Sequence, residues 1–171
     1  MKRSDTVIVT EIFEPVTLYS EKGRHFEMVD RKHYGISFCE SGKIIYTQNG
    51  KTIVSDKSVA VILPKGDKYS LYGEERGYFP LIDFEADGLH LDEIEIKELF
   101  DAEECISEYR RIKDMFFSGA DRFSVFSAFY SLLSKVFCEK RKSGRLLQME
   151  KYISENLSDT KLSNTEIARQ A

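Results

Sequence analysis

The sequence predicts an α+β fold, with a sandwich or small barrel of short strands in front and helices behind. Two observations carry that expectation. From Val7 to about Glu85 the apolar residues come in short runs separated by turn residues, the pattern of packed antiparallel strands. After Asp87-Gly88 the apolar spacing becomes helical, with hydrophobic residues three and four apart. The chain has 171 residues, 42% hydrophobic and 32% charged, enough to bury a core without disulfide or metal staples.

The front half reads strand by strand. Ile36 and Phe38 alternate with Ser37 and Cys39, and Glu40-Ser41-Gly42 ends that run. Lys43–Thr47 and Lys51–Ser55 flank Gln48-Asn49-Gly50, and Asn-Gly is the strongest short hairpin signal. Ser58–Leu63 is nearly all apolar, which predicts burial on both faces. Pro64-Lys65-Gly66-Asp67 breaks the chain, and Lys68–Tyr72 and Tyr78–Glu85 read as two more strands around a charged turn, Gly73–Gly77. Six or seven strands are expected in all.

The back half reads as helices. Asp101 and Glu104 form a capping pair ahead of Cys105, Tyr109, Ile112 and Phe116, a stripe at helical spacing. Ser118-Gly119-Ala120 ends this helix, and Asp121 caps a second running to about Lys142. The second helix carries two adjacent apolar rows, Phe126, Tyr130, Leu133, Phe137 and Val125, Phe129, Leu132, Val136. A stripe that wide predicts burial against the body on one side and against a partner helix on the other. A third helix is expected over Arg145–Leu157, and Ser163-Asn164-Thr165-Glu166 is a capping box opening a fourth.

Charge and composition narrow the function. The formal net charge is −4, but residues 1–138 carry 18 Lys and Arg against 24 Asp and Glu. Asp83–Glu104 alone holds ten acids and one base. The body therefore lacks the basic footprint of a nucleic-acid binder, and only the tail leans basic. The longest apolar run, Val59–Leu63, is five residues, far short of a membrane-spanning helix. Met1-Lys2-Arg3 leads into Ser4-Asp5 with no apolar stretch behind it, so a cytoplasmic protein is expected. Cys39, Cys105 and Cys138 are far apart and form no Cys-x-x-Cys motif, so they are expected to be small core hydrophobes.

The order of these parts, with several motifs, resembles bacterial transcription regulators of the arabinose-regulator (AraC/XylS) family. Tyr34–Gly42 (YGISFCESG), Lys43–Gly50 (KIIYTQNG), Val61–Asp67 (VILPKGD) and Pro80–Glu85 (PLIDFE) are similar to the strands of that family's cupin barrel. Met149–Ala168 (MEKYISENLSDTKLSNTEIA) resembles the opening of its helix-turn-helix domain. The resemblance implies a cupin-like effector-binding barrel over residues 1–88, a helical dimerisation segment over 89–143 and the start of a truncated DNA-binding domain over 144–171. It implies a homodimer and a small-molecule effector. DNA would be a partner only through a C-terminal domain whose recognition helices lie beyond Ala171.

By the same resemblance the effector lies inside the barrel, with Arg31, Phe38, Tyr46, Tyr69, Phe79 and Leu81 as ligand-binding candidates. Alternation puts Phe79, Leu81 and Asp83 on one face of their strand, and Tyr69 and Leu71 on one face of theirs. Arg31 is the polar candidate, because a guanidinium fork matches carboxylates and sugar hydroxyls. Core packing, or for Arg31 a surface ion pair, is the alternative role. Phe126, Phe129, Tyr130, Leu133 and Phe137 are the dimer-interface candidates. No catalytic residue, metal or cofactor is expected: the three histidines, His25, His33 and His90, are far apart, whereas a first-row metal needs three or four clustered ligands. Where many cupins place a metal-binding His, after the Pro-x-Gly turn, this chain reads Lys68-Tyr69-Ser70. A metal-dependent cupin enzyme and a ligand-free cupin dimerisation module are the competing readings.

Overall fold

The computed structural model describes residues 7–137. In chain order its strands are β1 (Ile8–Ile12), β2 (Val16–Ser20), β3 (His25–Met28), β4 (Tyr34–Ser37), β5 (Lys43–Gln48), β6 (Lys51–Ser55), β7 (Val59–Leu63), β8 (Tyr69–Glu75), β9 (Gly77–Asp87) and β10 (Glu95–Glu98). The helices are α1 (Ala102–Phe117) and α2 (Arg122–Val136). One antiparallel sheet has the order β1-β9-β4-β7-β10, with β2 also paired to β9, and the other has the order β3-β8-β5-β6. The expected strands are present, and β2, β3 and β10 add to them.

Local chemistry explains the turns. Asn49 and Gly50 both have positive φ, 50° and 77°, and Gln48 pairs with Lys51 across them. That is the two-residue hairpin whose twist matches the flanking strands. The expected turn over Gly73–Gly77 is not one. Strand β8 runs straight through Gly73, and only Arg76 separates it from β9, which lies in the other sheet. Both glycines are there for close approach rather than for turning: a Cβ on Gly73 would collide with the Glu21 carbonyl, and one on Gly77 with that of Ser41.

The acidic stretch after Gly88 also departs from expectation. Instead of going directly to helix it forms β10, an edge strand paired antiparallel with β7 from Glu95↔Ile62 to Glu98↔Val59. The helix-favouring composition of Glu-Ile-Lys-Glu is overridden by the open edge of β7, which supplies hydrogen-bond partners.

Two apolar cores lie on opposite faces of the larger sheet. Between the sheets sit Ile44, Tyr46, Val61, Leu63, Tyr69, Phe79, Leu81 and Ile94. On the outer face, Ile36, Phe38, Ala60, Ile62, Ile82 and Phe84 pack against both helices. Strands β7 and β9 are therefore covered on both sides, which is why Val59–Leu63 is apolar throughout. The β1 strand pairs with the end of β9, so Val7-Ile8-Val9 leads into an ordinary first strand.

Both helix caps are as the sequence predicts. Asp101 accepts from the Glu104 amide at 2.8 Å and Asp121 from that of Ser124 at 3.0 Å. The two apolar rows of α2 differ in burial: Val125, Phe129, Leu132 and Val136 are buried, Phe126, Leu133 and Phe137 are half-buried against the same core, and Tyr130 is exposed. Phe129, expected in a dimer interface, is wholly buried with its ring 5.2 Å from that of Phe84, and belongs to this chain's own core. The expected continuation of α2 to Lys142, the Arg145–Leu157 helix, the Ser163–Glu166 capping box and Cys138 lie outside the described residues.

Cys39 and Cys105 are buried and free. Burial pushes both thiols up to about 11, reinforced by nearby acids, Asp56 for Cys39 and Glu104 for Cys105. At neutral pH they are almost wholly protonated and poor nucleophiles. Peptide-resolved alkylation should therefore label both only after unfolding. Rapid labelling of either in the native protein would contradict this placement.

Candidate functional site at the mouth of the barrel

The segment linking β3 to β4 carries Arg31 into the barrel. Its backbone is tied to the Pro64–Asp67 turn: the Arg31 amide donates to the Asp67 carbonyl at 3.1 Å, and the Gly66 amide donates to the Arg31 carbonyl at 2.7 Å. The neighbouring Asp30 has a φ of 54°, an uncommon conformation for a residue with a side chain. The Arg31 side chain is only 6% exposed. One terminal nitrogen, Nη1, donates to the Tyr69 hydroxyl at 3.0 Å, and Nη2 pairs with Asp83. The third donor, Nε, is buried without a partner.

An unsatisfied buried donor typically costs about 1–3 kcal/mol. An acceptor brought by a ligand recovers that cost, and a guanidinium presents its donors in a plane suited to carboxylates and phosphates. The surroundings keep the site dry on one side. Tyr69 and Tyr46 stack in tilted fashion with centroids 5.8 Å apart, and burial holds both hydroxyls above the usual phenol range. Asp83 is the wet side, 33% exposed. Burial raises its carboxyl above the ordinary range, although the Arg31 charge pulls the other way.

Of the six ligand candidates, five converge. Arg31, Tyr69, Tyr46, Phe79 and Leu81 lie between the two sheets, Arg31 bonded to Tyr69 and the others in one cluster. Phe38 does not join them. It follows Ser37 at the end of β4 and points to the outer face, where it packs in the helix-facing core. Alternation decides this: Ile36 and Phe38 share a face, and the helices cover it.

Three further residues shape the site. Asp83, on the inward face of β9, supplies the counter-charge. Gly35 leaves the space that the guanidinium fills, because a Cβ there would collide with Arg31 Nη2. Gln48 is buried at the end of β5, where its side chain bonds Asp67 and accepts from the Ile94 amide at 2.7 Å. A glycine inside the strand pattern is the sequence signal for Gly35; nothing local marks Gln48. Among the described residues, no three His, Cys, Asp or Glu side chains gather to hold a metal ion. His33 instead bonds Glu85 at 2.6 Å and stacks on Phe13.

No protein-family model and no curated protein sequence matches the chain. Solved structures do. A ToxT variant from Vibrio cholerae without ligand superposes with a TM-score of 0.50 at 13% identity, over 94% of this chain and 70% of that one. ToxT from Vibrio cholerae bound to (E)-4-(8-methylnaphthalen-1-yl)but-3-enoic acid gives 0.52 at 12% identity, over 94% and 71%. The AraC-like transcriptional activator CuxR gives 0.50 at 11% identity, over 92% and 66%. The chain shares their fold. Its strands and helices thus form the α+β, cupin-like arrangement of these regulators, and identities this low speak to fold alone.

Proposed function

We propose that this chain is the effector-sensing and dimerisation part of an AraC-type transcription regulator, acting in the bacterial cytoplasm and governing DNA binding by a C-terminal helix-turn-helix domain. The observation that carries the reading is Arg31, a buried cation with an unmatched donor at the mouth of a barrel. Such a group is costly in a merely structural barrel and useful in one that waits for an acidic or polar ligand. Support comes from the fold shared with CuxR and with ToxT, the latter seen with a carboxylic acid bound. Dimerisation is assigned to the outer row of α2, Phe126, Tyr130, Leu133 and Phe137. No described helix is long and apolar enough to cross a membrane.

The test is thermal unfolding against sugars, organic acids, amphiphiles and metals. A ligand at a hundred times its Kd adds about 2.7 kcal/mol when it binds only the folded state. We expect a concentration-dependent rise with one acidic or polar class, lost in Gly35→Ala, whose new methyl displaces the guanidinium. A shift with a transition metal alone would favour an enzyme. A flat panel would favour a second reading, in which the barrel only holds two DNA-binding units at a fixed spacing. That reading draws on the filling of the barrel interior by Tyr46, Tyr69 and Phe79.

A further inference from the structure

Strand β2 has an open edge. It pairs with β9 and with no other described strand, and the geometry of that pairing fixes which of its groups are left over. The Pro80 carbonyl accepts from the Phe38 amide at 2.9 Å, so the main chain of Pro80 points away from β2. Its neighbours in β9, Phe79 and Leu81, point toward β2, because main-chain groups alternate in direction along an antiparallel strand. Opposite them lie Leu18 and Val16, whose amides and carbonyls are engaged by β9. Those of Thr17 and Tyr19 point outward. Arg24, an exposed side chain, donates to the Tyr19 carbonyl at 3.3 Å, and no described strand covers them.

The other described edges are protected. An open edge is a template for a further strand, and proteins blunt it with charge or cover it. On the same side of β9, the Val9 amide of β1 donates to the Tyr130 hydroxyl at 2.8 Å, and the Thr10 carbonyl accepts from Arg122 at 2.7 Å. Strand β10 carries Glu95, Lys97 and Glu98, β6 carries Lys51, and β3 carries Glu27. Strand β2, Val-Thr-Leu-Tyr-Ser, has no charge, no proline and no bulge. Its Val16, Leu18 and Tyr19 are 42%, 50% and 43% exposed.

We propose that β2 pairs antiparallel with β2 of a second copy of this chain, across a two-fold axis at Leu18. In that register Thr17 of each copy lies opposite Tyr19 of the other, so the outward amides and carbonyls meet. Leu18 meets its own counterpart as a non-hydrogen-bonded pair, the closer kind. The faces agree as well. Thr17 and Tyr19 lie on the helix side, Thr17 bonded to Tyr109 and Tyr19 against the Tyr78 ring, while Leu18 lies on the barrel side opposite Phe79. A two-fold at Thr17 would set Tyr19 against Pro15, which has no amide to donate. One at Tyr19 would set Thr17 against Glu21, beyond the end of the strand. The contact is separate from the helical one, because Tyr130 meets this edge at Val9, in β1. It does not depend on a ligand in the barrel.

Light scattering and sedimentation of the whole chain over a range of concentrations test this. Leu18→Lys and Leu18→Glu each place like charges directly opposite one another at the axis, and each alone should halve the molar mass reached at high concentration. An equimolar mixture of the two, which sets Lys against Glu, should restore it. Leu18→Cys should join two chains by a disulfide on mild oxidation, since residues so paired lie within disulfide reach. Ser20→Cys, which lies opposite Val16 in this register, should link no more than the parent chain. Leu18 is half exposed, so the charged variants should keep the parental urea midpoint, which checks that they are folded. A mass unchanged in both charge variants, or a mixture no heavier than its components, overturns the pairing. Equal disulfide capture in Leu18→Cys and Ser20→Cys overturns it too. Each of these results leaves the sensing function and the α2 contact standing.

Discussion

Replacing Asp83 with alanine is expected to destabilise the protein by about 2–3 kcal/mol, whereas Arg31→Met should stay within about 1 kcal/mol of the parent. Removing one member of a buried ion pair strands the other charge, at a typical cost of about 3–5 kcal/mol. The figure is reduced here because Asp83 is partly exposed and water screens what remains. Removing the cation instead takes away a desolvated charge and its orphaned Nε together, and methionine refills the space with apolar atoms. The losses are then the hydrogen bond to Tyr69 and the partner of Asp83, whose 33% exposure lets water take over. Urea unfolding with unchanged m-values would measure both. Equal destabilisation by the two variants would mean that Arg31 serves the fold rather than a ligand.

The same pair sets a pH dependence. Burial raises the Asp83 carboxyl above its unfolded value, with Arg31 opposing. A carboxyl whose pKa is raised by folding binds its proton more tightly in the native state. Its contribution to stability is therefore complete below the unfolded carboxylate range and is lost as pH rises through the raised value. Asp83→Asn keeps an acceptor oxygen for Arg31 and removes the titration. It should cost less than alanine and erase that pH-dependent step.

How far the sequence reaches depends on whether a feature is local. The Asn49-Gly50 hairpin, the Asp101 and Asp121 caps and the doubly covered β7 are written in adjacent residues, and all are legible. Strand β10 is not, because its pairing with β7 is decided by a sheet edge more than thirty residues away in the chain. Gly73 looks like a turn residue and is instead a point where two backbones touch. At the site, alternation correctly groups Phe79, Leu81 and Asp83, but the period of two cannot say which face is inward. Phe38 faces the helices and not the barrel interior, because the β4 segment has its apolar residues toward the helices and small ones, Gly35 and Ser37, on the other face. The Arg31–Asp83 pair spans 52 positions, and no local pattern joins its members.

Phe129→Ala should produce the largest loss of any single truncation in α2, about 3–5 kcal/mol. Its ring is wholly buried, tilted 58° against Phe84, in the core that joins both helices to the sheet. Alanine leaves a cavity there that the rigid sheet cannot close. Tyr130, one residue on, is turned about 100° round the helix and is exposed at its edge, with its hydroxyl accepting from the Val9 amide at 2.8 Å. Tyr130→Glu gives up that acceptor and should therefore cost about 1–3 kcal/mol, less than Phe129→Ala. The contrast separates the two apolar rows of α2 by what each covers. If the outer row makes a dimer, Tyr130→Glu halves the molar mass measured by light scattering while leaving the fold intact. Phe129→Ala lowers stability without itself touching the partner. A Tyr130→Glu protein that keeps the dimer mass would move the interface away from α2, and leave the breadth of its apolar surface to be accounted for by packing within one chain.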